Sequence, residues 1–230
     1  MPEMSFREVM GNMDWSYLLD LLISVIPAII CITIHEMSHG LAAKLMGDNT
    51  AETQRRLSLN PLRHIDPAGL VMLVVFKVGW AKPVPVNMMR FRRPKAGMAI
   101  TALAGPVSNF VLAALLLFVR GLITYPLARL SWGMTALELF DTTAYLSLCL
   151  GLFNLIPIPP MDGSKVLFSF LPDRIYLQLM RYERYGMIIV LIVMLSGIVD
   201  GPLNTVTYFL FDRFFLLAQA GFGLVMKLFL

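Results

Sequence analysis

The sequence contains 230 residues, of which 57% are hydrophobic and 15% are charged, and its mean hydropathy is +0.71. This composition excludes a soluble globular protein, and the chain is too long for a single anchor, so we predict an all-α polytopic membrane protein. In such a protein the basic residues behind the net charge of +4 indicate how the chain is oriented in the membrane and favour contact with anionic lipid. No basic stretch is interleaved with aromatic residues, so nucleic acid is not an expected partner.

The first apolar segment runs from about Trp15 to Met46 and carries the motif His35-Glu36-Met37-Ser38-His39. Two histidines four residues apart on a helix project from one face and can bind one metal ion. In this arrangement the histidines bind zinc and the glutamate takes a proton from the attacking water, which is hydrolytic chemistry. Because residues 21–34 contain no charge, the motif lies in a membrane segment, where ionisable groups usually mark a functional site.

Three other side chains are candidate metal ligands. Cys31 precedes His35 by one helical turn, and His64 and Asp66 lie in the polar loop from Thr50 to Pro67. Thiolate ligands usually come as spaced pairs, which disfavours Cys31. For His64 and Asp66 the favoured interpretation is a loop packed against the site, in which His64 makes a hydrogen bond.

The apolar segment from Leu70 to Trp80 is too short to cross a membrane as a helix. The next residues, 81–87, contain Pro83 and Pro85, which prevent a helix and favour extended backbone. Extended backbone at membrane depth is tolerated only where it is buried in protein or lines a cavity. We therefore predict a short re-entrant or interfacial extended segment. Its residues 79–87 are expected to bind substrate as a strand edge, through Val84, Val86 and Asn87, and the alternative is an interfacial loop.

Two further spans are predicted, from Ala99 to Val119 and from Met134 to Ile156. The first begins with a run of small residues, 102–109, that allows helices to pack closely. Asn109 is unfavourable in an apolar helix unless it hydrogen-bonds a neighbouring element. We also expect Asn109 to contact substrate.

A proline-rich stretch follows the second of these spans and ends at Asp162-Gly163. The prolines stop the helix and present Asp162 from a turn at the membrane boundary. Catalytic zinc has three protein ligands and one water, which makes Asp162 a candidate for the third ligand. From spacing alone, an N-cap for a helix from Ser164 to Leu171 is an equally good interpretation.

The C-terminal part of the sequence is less regular. Residues 172–185 are polar and mixed in charge, which indicates a solvated or interfacial segment, and the apolar stretch from Gly186 to Val199 is short for a span. Residues 203–230 are apolar but contain Asp212 and Arg213. The sequence does not decide whether this last segment crosses the membrane or lies along its surface.

Five stretches occur in a recognisable order along the chain. They are His35-Glu36-x-x-His39-Gly40, Asn60-Pro61-Leu62-x-His64-Ile65-Asp66-Pro67, Gly79-Trp80-Ala81-Lys82-Pro83-Val84-Pro85-Val86-Asn87, Ala104-Gly105-Pro106-x-Ser108-Asn109 and Asn154-x-x-Pro157-x-Pro159-x-x-Asp162-Gly163. Together they resemble the site-2 proteases, zinc metalloproteases that cut within or beside membrane spans. The resemblance covers about residues 31–167 and is greatest to the compact prokaryotic branch without a PDZ domain.

The resemblance implies a three-helix catalytic core and one zinc ion per chain. It implies that Asp162 is the third zinc ligand beside His35 and His39, which spacing alone left open. It also implies that Glu36 is the catalytic base and that Asn154 lies near the scissile carbonyl.

We therefore predict one integral membrane metalloprotease domain over residues 1–230, with a catalytic core at about 15–167 and C-terminal membrane helices at about 186–230. The predicted function is an intramembrane zinc metalloendopeptidase that cuts membrane protein substrates in or next to their spans. The alternatives are a membrane metal-binding or transport protein without peptidase activity, and an inactive scaffold relative. The distribution of Lys and Arg predicts a multi-pass cell-membrane protein whose N-terminus is outside and whose active site faces the cytoplasm. The sequence predicts no oligomeric state.

Overall fold

The computed structural model describes residues 15–67, 69 and 81–229, and these residues are mostly helical, with no strand among them. Within these ranges, four helices are long and apolar enough to span a membrane, by length and composition. The predicted all-α polytopic fold is confirmed. The helices are α1 (Trp15–Met46), α2 (Thr50–Thr53), α3 (Pro94–Leu127), α4 (Gly133–Asn154), α5 (Asp162–Phe168), α6 (Asp173–Leu195) and α7 (Asp200–Phe229), with short 3-10 turns at Pro61–Arg63 and Met88–Arg90.

Helix α3 is central, because it packs against α1, α4 and α7. The buried hydrophobic residues at the meeting point of α3, α4 and α7 are small or aliphatic, so the helices can approach closely. The predicted three-helix core of α1, α3 and α4 is confirmed, and α7 adds a fourth helix to it. The buried cluster consists of Ala113, Leu117, Ala144, Leu148 and Ala218.

One face of α3 is exposed and apolar in the part of the chain that the structure describes. Its exposed side chains recur every three or four residues, which places them on one stripe of the helix. Large aliphatic side chains in that pattern suit a lipid environment. The stripe consists of Ile100, Leu103, Val107, Val111 and Leu115.

Helix α3 is longer than the span predicted at residues 99–119. It begins at Pro94, a residue favoured in the first helical turn, and its 34 residues extend about 51 Å. The hydrocarbon core of a bilayer is only about 30 Å thick, so α3 projects beyond it. The extra length therefore carries the ends of α3 into the interfacial region.

Most of residues 172–185 and of the apolar stretch 186–199 belong to one helix, α6, from Asp173 to Leu195, whose apolar part, Gly186–Leu195, is short for a span, as predicted. Both ends of α6 lie at the same end of the bundle. Asp173 pairs with Lys95 at the start of α3, at 2.9 Å, and Met194, at the other end of α6, lines a small cavity with Phe153 at the end of α4. Helix α6 therefore does not connect the two ends of the bundle.

Residues 203–230, left open by the sequence, belong to α7, which is apolar enough to span a membrane. It runs antiparallel to α4: Val199 lies near Phe153, and further along Asn204 accepts a hydrogen bond from the Tyr145 hydroxyl at 3.2 Å. The structure thus favours crossing over a surface position for this helix.

The connection between α1 and α3 contains the segment that we expected to be extended. Gly47 ends α1 with a φ of +110°, a conformation that suits glycine. Residues 81–87 contain no helix, Ala81 forms an isolated antiparallel bridge with Ile65, and the backbone of Asn87 is extended. The predicted re-entrant stretch at residues 70–80 lies outside the described residues.

Candidate metal centre

His35, His39 and Asp162 converge at the centre of the bundle and are buried, with 4%, 8% and 7% of their surfaces exposed. The Nε2 atoms of His35 and His39 each lie 3.1 Å from Oδ2 of Asp162, and one ligand atom from each residue lies within 4.8 Å of the others. In a tetrahedral zinc site with bonds of about 2.0–2.1 Å, ligand atoms are about 3.3 Å apart. The chemistry and spacing of the three groups therefore fit zinc.

Asp162 reaches the histidines because α4 ends at Asn154 and a turn of prolines leads directly into α5. Met161 precedes the first turn of α5 and Asp162 lies within it, so the N-cap alternative for Asp162 is wrong. Gly163 allows this turn to pack against the end of α4, since a Cβ there would lie 2.1 Å from the carbonyl oxygen of Leu155. The glycine after the aspartate is thus required by the close approach of two backbones.

The carboxylate of Asp162 is charged in this arrangement. Burial acts to raise its pKa, but hydrogen bonds with His35 and His39 and the nearby Lys165 ammonium hold that pKa well below its usual range. The Lys165 Nζ lies 3.7 Å from Oδ1 of Asp162, one helical turn along α5. An ionised carboxylate is the form that a metal ligand needs.

The far side of each imidazole contacts α3. Nδ1 of His39 lies 2.7 Å from the carbonyl oxygen of Thr101, and Nδ1 of His35 lies 3.1 Å from Nδ2 of Asn109. Both Nε2 atoms therefore face Asp162. Gly105 lies between these contacts, and a Cβ there would lie 2.5 Å from His39 Nε2 and 2.7 Å from His35 Cε1. Only glycine leaves room for both rings against α3.

Glu36 is half-buried beside the two histidines on α1. Its Oε2 accepts a hydrogen bond from the backbone N–H of Val84, at 2.8 Å. Among the described residues, the other carboxylate oxygen accepts no hydrogen bond. One oxygen of Glu36 is therefore held by the protein, and the other can accept a proton from water.

Val84 belongs to residues 81–87, here called the active-site strap, which is held by the rest of the chain at several points. Lys82 N–H donates to the carbonyl oxygen of His64 at 2.8 Å, and Asn87 N–H donates to Oδ2 of Asp48 at 2.6 Å. The Arg56 guanidinium donates to the carbonyl oxygens of Lys82 and Pro83. The strap is thus fixed over Glu36 by hydrogen bonds at both ends.

Asp48 holds the strap although it is fully buried. Burial acts to raise its pKa, but hydrogen bonds from Thr50 and from the N–H of Asn87 hold that pKa below its usual value. A carboxylate that accepts three donors compensates its own burial. The sequence did not predict this role of Asp48, because an aspartate directly after Gly47 is typical of an ordinary turn.

The three rival ligands do not join the cluster. The Cys31 thiol donates to the carbonyl oxygen of Thr143 at 3.5 Å, on the side of α1 that faces α4. His64 is buried with Nε2 at 2.7 Å from the carbonyl oxygen of Ser58, and Asp66 accepts from the N–H of Gly69. His64 and Asp66 therefore have the structural role that was favoured for them.

The residues expected to contact substrate differ in their burial and in their hydrogen-bond partners. Asn109 has no exposed surface, and its amide contacts His35. The Val84 N–H donates to Glu36, and the Asn87 N–H donates to Asp48. The Val86 N–H, in contrast, has no partner among the described residues. Asn154 is half-buried, and its amide donates to the carbonyl oxygen of Leu150 at 2.9 Å.

Two comparisons with known proteins bear on this site. The sequence model of peptidase family M50 matches residues 23–197, which is more than half of the chain and includes every residue of the cluster. The chain belongs to peptidase family M50. The resemblance to site-2 proteases is thereby confirmed. This M50 peptidase matches no solved structure.

Among its relatives, the M50 peptidase is 37% identical over 174 residues to YwhC of Bacillus subtilis (strain 168), across 75% of this chain and 80% of the relative. It is 29% identical over 188 residues to Rip2 of Mycobacterium tuberculosis (strain H37Rv), across 80% and 71%. A Methanocaldococcus jannaschii protein, MJ0392, is 29% identical over 134 residues, across 57% and 38%. All three names designate zinc metalloproteases, which supports zinc as the metal and proteolysis as the activity of this family member.

Proposed function

We propose that this M50 zinc metalloprotease cuts membrane protein substrates within or next to their membrane spans, with His35, His39 and Asp162 binding one zinc ion per chain. The observation that carries the proposal is the convergence of these three side chains between helices apolar enough to span a membrane. A peptidase whose catalytic groups are enclosed by such helices reaches peptide bonds at membrane depth more readily than bonds in a soluble domain.

In the proposed mechanism, Glu36 takes a proton from the attacking water with its free carboxylate oxygen and delivers it to the leaving amine. Zinc, when bound, supplies Lewis-acid polarisation of the water and of the peptide carbonyl. The Val84 N–H holds the other oxygen of Glu36, which fixes the orientation of the base. Asn154 is proposed to donate to the oxyanion, after its amide leaves the carbonyl of Leu150.

A peptide bond in a helical span is hidden in the helix, so the substrate must be unwound before it is cut. The active-site strap offers main-chain groups to an extended substrate: the Val86 N–H and the carbonyl oxygens of Val84, Pro85 and Val86, none of which has a partner among the described residues. Pro83 and Pro85 offer no donor. Pairing with substrate therefore depends on the N–H of Val86 and on these carbonyls.

The proposed function is tested with the purified protein in liposomes that also contain a single-span membrane substrate. We expect cuts within the span or within a few residues of it, loss of cleavage on treatment with a zinc chelator, and recovery when zinc is added back. Cleavage confined to a soluble region of the substrate would contradict the proposal, as would cleavage that continues after zinc has been removed.

In the same assay, Val86→Pro is expected to lower kcat/KM by about fivefold to tenfold, because it removes one main-chain donor worth about 1 kcal/mol. Val86→Ala keeps the N–H and is the matched control, so its kcat/KM should stay near that of the wild type. Zinc content should be the same in both variants. Equal cleavage by the two variants would show that the Val86 N–H does not pair with substrate.

We also propose that the metal site faces the cytoplasm and that the N-terminus is outside. The end of the bundle nearest the metal site is strongly basic, whereas the connection at the opposite end, residues 128–132, has Arg129 as its basic residue. Basic connections usually stay in the cytoplasm. The residues at the metal-site end are Arg55, Arg56, Arg63, Lys82, Arg90, Arg92, Arg93, Lys95, Lys165 and Arg174.

Orientation can be measured by labelling single cysteines in intact cells with a membrane-impermeant reagent. Leu130→Cys, at the opposite end of the bundle, should be labelled, and Arg92→Cys should be protected until the membrane is opened. The reverse pattern would overturn the proposed orientation.

A further inference from the structure

Asn109 is the one fully buried amide in the part of α3 that contacts the histidines, and it lies at the depth of the metal site. Its Nδ2 is 3.1 Å from Nδ1 of His35, and its Oδ1 is buried without a hydrogen-bond partner among the described residues. An unpaired amide oxygen in an apolar surrounding is unfavourable, because it loses the hydrogen bonds that it would make with water. Asn109 therefore needs a role that an aliphatic residue could not fill.

The orientation of this amide decides which nitrogen of His35 carries the proton. When the NH2 group donates to Nδ1, the proton of the neutral ring is on Nε2, from where it is donated to Asp162. A metal ligand instead needs an unprotonated Nε2, so the proton must move to Nδ1 and Nδ1 must find an acceptor. A half-turn of the Asn109 amide exchanges its two ends and places Oδ1 next to Nδ1.

We propose that Asn109 is a positioning residue for the metal site, whose Oδ1 accepts a hydrogen bond from Nδ1–H of His35 and directs the Nε2 lone pair to zinc. This inference rests on the proposed role of His35 as a ligand. His39 shows the same design, because its Nδ1 lies 2.7 Å from a fixed acceptor, the carbonyl oxygen of Thr101. Helix α3 then orients both imidazoles, one through its backbone and one through Asn109.

The surroundings of Asn109 hold its backbone and the base of its side chain. Ser147 on α4 donates to the carbonyl oxygen of Asn109 at 2.8 Å, and a Cβ at Gly151 would lie 3.4 Å from the Cβ of Asn109. The base of the side chain is thus packed between α3 and α4. This fixed base keeps the terminal amide of Asn109 next to Nδ1 of His35.

The test is the zinc dissociation constant of the full-length protein, measured by chelator competition. Asn109→Leu removes the acceptor and should weaken zinc binding by about 10-fold to 100-fold, the usual effect of losing such a partner. Asn109→Asp keeps an acceptor and has no donor, so its affinity should stay close to that of the wild type. Ser147→Ala removes a hydrogen bond to the same residue without touching its amide, and is the matched control with unchanged affinity.

Thermal unfolding separates positioning from general packing. The melting temperature of Asn109→Leu should be at least that of the wild type in excess chelator, because the unpaired amide oxygen is removed, and should fall below it in saturating zinc. A packing defect would lower both values. An Asn109→Leu affinity equal to that of the wild type would overturn the proposal, and so would an Asn109→Asp affinity as weak as that of Asn109→Leu. His35→Ala separates this proposal from the proposed metal site. If the Asn109 variants give an overturning result while His35→Ala loses zinc, only the role of Asn109 is contradicted. If His35→Ala keeps its zinc, the proposed ligand set is contradicted as well.

Discussion

Replacing Asp162 by alanine is expected to reduce zinc affinity more than any change outside the three proposed ligands. The substitution removes one of three protein ligands and leaves the two imidazoles without the carboxylate that both of them face at 3.1 Å. The loss should exceed the roughly 10-fold to 100-fold that the removal of an outer partner causes. The measurement is zinc content and affinity of the purified variant.

Asp66→Ala is the matched control for this prediction, because Asp66 was the rival carboxylate and accepts a hydrogen bond from Gly69 outside the cluster. Its zinc affinity should equal that of the wild type. Full zinc occupancy in Asp162→Ala, or a comparable loss in Asp66→Ala, would contradict the proposed ligand set.

Glu36→Gln is expected to keep the fold and the zinc but to lower the rate of cleavage by about 10²-fold to 10⁴-fold, the usual contribution of a general base. The amide oxygen of glutamine can still accept the Val84 N–H, so the strap should stay in place, while the side chain can no longer take a proton from water. Single-turnover cleavage of a membrane substrate measures this effect directly.

Glu36→Ala gives a second comparison, because it removes the acceptor for the Val84 N–H as well as the base. We expect Glu36→Ala to be as inactive as Glu36→Gln and also easier to cut with an added protease near the strap. If Glu36→Gln cleaves near the wild-type rate, the metal-transport and scaffold alternatives gain over proteolysis.

The membrane-spanning nature of the chain and the ligand candidates were predictable from sequence because they depend on local signals. Two histidines four apart on an apolar helix define a metal-binding face without any tertiary information. The choice of Asp162 as the third ligand depended on resemblance, since its spacing fitted an N-cap equally well. The structure favours it because both imidazoles point at its carboxylate.

The parts that sequence did not predict depend on backbone groups and on the packing of distant elements. The acceptor for His39 is the backbone carbonyl oxygen of Thr101, and the donor to Glu36 is the backbone N–H of Val84. Every residue type has a backbone carbonyl, and all except proline have an N–H, so these contacts cannot be recognised from the side chains in the sequence. The run of small residues that includes Gly105 did predict close packing, but it did not indicate that the two histidines are the groups packed against Gly105. The sequence did not predict that residues 173–195 form one helix, α6, because its polar and apolar halves have the composition of two separate segments.

The most direct measurement of the central claim is the identification of protein termini in membrane fractions of cells that contain either the wild-type protein or Glu36→Gln. The proposed function predicts a set of new termini that occur only with the wild type and that lie within or next to apolar spans of other membrane proteins. The intact forms of the same proteins should accumulate with Glu36→Gln. Identical termini in the two samples, or wild-type-dependent termini located only in soluble domains, would contradict intramembrane proteolysis by this protein.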